Sequence, residues 1–160
     1  MKINEPCTPI ETPLEDDALL ISRTNLKGAI TFCNEEFIRI SGFSKSELEG
    51  KNHNIVRHPD MPPEAFKDLW DTVKAGQSWK GVVKNRCKNG SFYWVYAHVT
   101  PVIEHGKVVG FMSVRTKPSA QQVSDATRLY EQVYRGQDKF PSTLDESGLG
   151  CDADDELTLG

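Results

Sequence analysis

Along this chain the spacing of apolar residues changes several times, and each change marks an element. Ala18-Leu19-Leu20-Ile21-Ser22-Arg23 and Ala29-Ile30-Thr31-Phe32-Cys33 are short apolar runs joined by the turn-forming Thr24-Asn25-Leu26-Lys27-Gly28, which predicts a β-hairpin. Asn34 precedes Glu35-Glu36-Phe37-Ile38-Arg39-Ile40, where an amide followed by acids suits the start of a short helix that Gly42 ends. Ser44 with Glu47 repeats the capping signature, and Gly50 closes that turn. Over residues 63–75, Ala65, Phe66, Leu69, Trp70 and Val73 share one helical face. Pro62 or Pro63 fits the first turn and Gly76 stops the helix. Residues 79–88, 91–102 and 107–117 read as three strands, separated by Asn89-Gly90 and Glu104-His105-Gly106. A return to three- and four-residue spacing at Val123, Ala126, Tyr130 and Val133 predicts an amphipathic helix over 119–135, before Gly136.

Two features do not follow from packing alone. In residues 79–88 the alternation puts Val83, Asn85 and Cys87 on the face to be buried, with Lys84, Arg86 and Lys88 opposite. A buried amide left unpaired costs about 1–3 kcal/mol, so Asn85 bonds to the protein or to something held in the core. The second feature is Asn52-His53-Asn54-Ile55-Val56-Arg57-His58-Pro59-Asp60-Met61-Pro62-Pro63, with two imidazoles, a guanidinium, a carboxylate and two amides. Ring- and fork-shaped donors suit a planar or phosphate-bearing ligand. The same stretch also reads as a helix start at Asp60 and Pro62 with the His and Arg side chains at the surface. Phe66 reads as core packing ahead of ligand contact, and Trp70 as either.

Length and composition narrow the class. A chain of 160 residues, 38% hydrophobic and 26% charged, fits one soluble domain. A net charge of -4 argues against a nucleic-acid partner, since tracking phosphates takes a basic excess. Cys7, Cys33, Cys87 and Cys151 form no Cys-x-x-Cys pair, which points to free thiols in a reducing compartment. No run approaches the ~18 apolar residues of a transmembrane segment. Residues 1–17, with Pro6, Pro9 and Pro13, read as an extended, poorly ordered lead-in. Residues 136–160 carry seven acids against Lys139 alone and read as an acidic, disordered tail. The sensor core is then residues 18–118, followed by the helix at 119–135.

This order of elements is α+β and resembles a PAS fold, a five-stranded antiparallel sheet cupping a ligand under short helices, here with a C-terminal amphipathic helix. The stretch from Asn52 to Pro62 is specific, as are Trp79, Val83-Lys84-Asn85-Arg86, Lys88-Asn89-Gly90, Tyr93-Trp94-Val95 and Met112-Ser113-Val114-Arg115-Thr116. Together they resemble the flavin-binding PAS domain of the bacterial aerotaxis receptor family. That resemblance implies a non-covalent FAD used as a redox reporter. Carried over position by position, it implies that Arg57, His58, Asp60 and Trp79 hold FAD, and that Asn34, Phe66 and Asn85 shape the pocket and its signalling state. Chemically, Arg57 and His58 suit a pyrophosphate and Asp60 a ribose hydroxyl or a helix cap. Asn85 suits the pteridine edge, Trp79 a stacking face and Trp70 a wall. His53 stands where light-sensing flavin PAS domains carry the adduct-forming cysteine, and Arg115 where they carry a glutamine. Arg115 either sits near the flavin, favouring its anionic reduced forms, or lies at the surface.

The expectation is therefore a sensor and not an enzyme; no Gly-x-Gly-x-x-Gly fingerprint for a dinucleotide occurs. It is expected in the cytoplasm, reaching the inner face of the membrane only through a partner. The partner expected is a signalling protein or chemoreceptor-type output domain, and the apolar stripe of the last helix allows a homodimer. Aerotaxis receptors continue into a membrane anchor and a coiled-coil output, which residues 136–160 do not accommodate. The chain is expected to be either a single-domain relative or the sensory part of a longer product. Two other classes compete: a haem-binding gas sensor using His53 or His58, and a ligand-free interaction module.

Overall fold

The apolar runs pair into one sheet. In the computed structural model, which describes residues 4–136 and 139–143, the strands are β1 (Leu20–Asn25), β2 (Ile30–Cys33), β3 (Trp79–Arg86), β4 (Phe92–Glu104) and β5 (Lys107–Thr116). Their order is β2-β1-β5-β4-β3 and every neighbouring pair is antiparallel. The five-stranded antiparallel sheet with short helices is the expected α+β architecture. β1 lies beside β5, so the first hairpin and the last meander close on each other across most of the sequence.

Between β2 and β3 the chain forms α1 (Glu35–Ser41), α2 (Lys45–Leu48), a 3-10 turn (His53–Val56) and α3 (Pro63–Lys74). Local chemistry sets their limits. Asn34 caps α1 by accepting from the Phe37 amide, and Gly42 ends it with φ 77, where a Cβ would be strained. Ser44 and Glu47 complete a reciprocal capping box on α2. On the sheet, alternate residues Tyr93, Val95, Ala97 and Val99 of β4 are buried under these helices, together with Val83 and Asn85 of β3. Leu20, Ile30 and Phe37 complete the core, each contributing about 1.5–3 kcal/mol by leaving water.

The opposite face of the sheet receives α4 (Ala120–Tyr134), whose N-terminus carries a second capping box between Ser119 and Gln122. Trp94, pointing away from the buried side of β4, stacks on Tyr130 with ring centroids 6.5 Å apart, and the Tyr130 hydroxyl donates to the Val82 carbonyl. Among the described residues no helix is long and apolar enough to cross a membrane.

The lead-in differs from expectation. Residues 4–14 are extended but tied down along the β3–β4 hairpin. The Thr8 amide donates to Gly90 (2.9 Å), Phe92 to Ile10 (3.0 Å) and Thr12 to Phe92 (2.7 Å), and Leu14 is buried. Pro6, Pro9 and Pro13 remove their own donors but leave those of Thr8 and Thr12 to pair with an edge. The disorder expected for the acidic tail falls outside the described residues apart from 136 and 139–143.

Candidate functional site

Sheet and helices line a cavity of about 90 Å³. Its floor follows from strand alternation. Leu20, Ser22 and Thr24 point inward from β1, and Ser113 and Arg115 from β5, so polar side chains lie among apolar ones beneath the helices. Asn85 joins them from β3, while Ala97 and Val99 supply small apolar floor from β4. The roof comes from the 3-10 turn and its successor (His53, Asn54, Val56, Arg57) and from α3 (Phe66, Leu69, Trp70).

Arg115 dominates the electrostatics. It is 3% exposed, and its guanidinium sits 4.5 Å over the Phe37 ring. One terminal nitrogen donates to Ser113 Oγ (2.9 Å) and faces His53 Nε2 (3.2 Å), and the other donates to Ser22 Oγ (2.8 Å). All three neighbours are neutral. No carboxylate among the described residues pairs with it, and its Nε is buried without a hydrogen-bond partner. Burial pushes its pKa down to about 10. Thr24 Oγ1, also from the lining, is a second buried polar atom without a partner. Each such atom costs about 1–3 kcal/mol unless something in the cavity satisfies it.

His53 lies flat against Phe37, with ring centroids 5.8 Å apart, and its Nε2 is 2.9 Å from Ser22 Oγ. Because the facing guanidinium can only donate, Nε2 is an acceptor and the ring is neutral. Burial, and then the charge of Arg115, push its pKa down to about 3. Arg57 is buried, with its guanidinium 4.1 Å over the Phe66 ring in a cation–π contact. Its backbone bridges to Asn85.

Of the residues singled out in the sequence, the fold brings His53, Arg57, Phe66, Trp70, Asn85 and Arg115 to this cavity. Arg115 is buried, which settles the surface alternative against it. Four others lie elsewhere. Asn34 spends its side chain on α1 and β1, accepting from the Phe37 and Ile21 amides and donating to the Leu19 carbonyl. Asp60 is exposed and pairs with Lys84 at 2.7 Å. His58 is buried edge-on to Phe92, its Nδ1 accepting from the Asp60 amide (3.0 Å), and burial followed by the charge of Lys84 lowers its pKa. Trp79 lies over Gly81 and donates from Nε1 to the Asp68 carboxylate of α3 (2.8 Å), a strut between helix and sheet. Sequence reasoning passed over Ser22, Thr24, Ser113 and Asp68. For Ser22 and Thr24 the signal was available, because both share the inward face with Leu20.

A sheet cupped around a cavity of mixed chemistry is the build of a sensory module. Comparison with known proteins names the family. The family model described as "PAS fold" matches residues 30–115, and the chain belongs to that family. It is 46% identical over 129 residues to the aerotaxis receptor of Escherichia coli, covering 81% of this chain and 26% of that protein. It is 30% identical over 92 residues to the nitrogen fixation regulatory protein of Klebsiella pneumoniae, covering 58% of this chain and 19% of that one. Among solved structures, the light state of the blue-light photoreceptor Aureochrome1 LOV superposes with a TM-score of 0.60 at 18% identity, covering 72% of this chain and 91% of that one. The chain thus spans about a quarter of the length of the first of these relatives and about a fifth of the second.

Proposed function

We propose that this chain is a flavin-binding sensory domain that holds FAD in the cavity and reports its redox state to a signalling partner, as an aerotaxis sensor does. The observation that carries this is Arg115: a buried cation with no carboxylate partner among the described residues and an unbonded Nε, facing a cavity that also has aromatic and aliphatic walls. A ligand that is planar, largely apolar and able to gain negative charge fits that environment. The similarity to the aerotaxis receptor supports the same reading, and FAD is the flavin that the resemblance implies.

The residues present fit the group in chemistry. Asn85 offers a donor and an acceptor to a heterocycle edge, Thr24 and Arg115 offer unused polar atoms, and Phe66 and Trp70 offer walls. Arg57 supplies a cation to the same cavity. In width the cavity is in a narrow state. About 90 Å³ holds a few waters, whereas ligand pockets run to about 300–1,000 Å³, so lining side chains must swing aside to admit three fused rings. When bound, the flavin supplies reversible electron uptake. The chain's part is to orient it, keep water out and respond to the change in charge with Arg115 and the neutral His53. The domain acts in the cytoplasm as a sensor, not as an enzyme.

The test is the absorption spectrum of the purified protein before and after dithionite, followed by acid release and chromatography of the pigment. Flavin bands in the blue that bleach on reduction, with FAD as the released species, are expected. Protein that stays colourless after FAD is supplied would overturn the proposal, and an intense Soret band would replace it with haem.

A further inference from the structure

We propose that Tyr134 is a positioning residue for the cavity: its hydroxyl pins the loop carrying Arg57 to the last turn of α4, making cavity occupancy and helix docking one coupled equilibrium. This deepens the reading above and rests on the cavity being a ligand site.

The loop from Asn54 to Met61 is held on two sides. From the N-terminal strip, the side-chain amide of Asn4 donates to the carbonyls of Asn54 (2.9 Å), Ile55 (3.2 Å) and Arg57 (2.8 Å). From α4, the Tyr134 hydroxyl is shared between the carbonyls of Met61 (2.7 Å) and Pro59. Between these anchors the backbone is cross-bonded. Arg57 donates to Asn54, Met61 donates to His58, and the Asp60 amide bonds the His58 ring. A displacement of Arg57 therefore reaches Pro59 and Met61 instead of being absorbed between them.

Such a displacement is needed, because the cavity is too narrow for a ring system and Arg57 over Phe66 forms part of its roof. Arg57 also lies close enough for its charge to act on the Tyr134 hydroxyl. Tyr134 itself is 48% exposed, so its ring is not core, and its hydroxyl ties it to the loop through two carbonyls. Tyr130, one turn earlier, bonds instead to the Val82 carbonyl of β3, away from the loop. Linkage makes the coupling reciprocal: whatever factor ligand binding imposes on docking of the last turn, docking imposes on ligand affinity.

Hydrogen exchange at the α4 amides of the whole chain, with and without saturating FAD, reads this directly. FAD is expected to change protection of the last turn by about fivefold or more. Tyr134→Phe should abolish that response and shift the FAD dissociation constant by the same factor, leaving the bound-flavin spectrum unchanged. Tyr130→Phe is the control: it loosens the helix on β3 but keeps the pin, so the FAD-dependent change in protection of the last turn should persist. Equal affinity for Tyr134→Phe and the native chain, or loss of that change in Tyr130→Phe, would overturn the pin. If FAD does not bind the native protein, the functional proposal fails separately. The pin is then decided by a ligand-free cycle of Arg57→Ala and Tyr134→Phe on α4 exchange, where non-additive effects uphold it and additive ones overturn it.

Discussion

Replacing Arg115 by methionine should stabilise the empty protein and weaken its hold on the ligand. The fall of the Arg115 pKa from 12.5 to about 10 corresponds to roughly 3 kcal/mol of penalty on the buried charge, at about 1.4 kcal/mol for each tenfold. Methionine keeps much of the volume and removes that penalty. Ser22 Oγ and His53 Nε2, already 2.9 Å apart, can pair with each other once the guanidinium is gone. Swapping a buried charge for an apolar side chain of similar size is neutral to stabilising by about 1–4 kcal/mol, so a gain of about 2 kcal/mol is expected here. For a chain of this length that is a rise of roughly 4–8 °C in the Tm of the ligand-free protein. With FAD that gain is offset. A charge-assisted hydrogen bond of about 1.5–3 kcal/mol is lost, raising the dissociation constant by about tenfold or more. Thermal melts with and without FAD, together with a fluorescence titration of the flavin, give both numbers. A ligand-free Arg115→Met protein that melts below the native chain, or one that binds FAD equally well, would refute the idea that this cation is kept for a ligand.

Three further outcomes follow from the geometry. Trp79→Phe removes the indole donor from the buried Asp68 and should cost about 1–3 kcal/mol by urea denaturation, with the spectrum of any retained flavin unchanged. Gly81→Ala should cost stability in the same assay, because a Cβ there would meet the Trp79 ring at 2.3 Å and push it off Asp68. Acid should weaken the fold. His53 is held neutral, so its contribution is complete above 6.5 and is lost as pH falls from there towards about 3. The slope is at most about 1.4 kcal/mol per pH unit for each such histidine. Urea midpoints should thus drop between about pH 7 and pH 5, and a flat profile would show that the ring is not confined in its neutral form.

Much of the fold was legible because its signals are local. Asn34 and Ser44 announce two helices through groups that bond within four residues, and the two glycine turns at 90 and 106 place the meander. Asn85 could be set on the buried face by alternation alone. What could not be read is whatever depends on distant pairing. Nothing local says that β1 lies against β5, and only that neighbour relation puts Ser22 beside Arg115 and leaves the guanidinium without an acid. Trp79 illustrates the same limit. Its aromatic face suggested stacking, but its partner is a carboxylate eleven residues earlier on α3. The lead-in misled through composition, since three prolines suggested looseness while the remaining donors found the edge of a hairpin.

The most direct measurement is the ¹H–¹⁵N resonance of the Arg115 Nε–H in the whole protein, recorded without ligand, with FAD, and after reduction. A buried donor that lacks a partner in the ligand-free state should shift strongly when FAD enters and shift again on reduction, while the exposed Arg39 stays fixed. An Arg115 resonance that does not move while FAD binds would contradict a flavin seated against this cation.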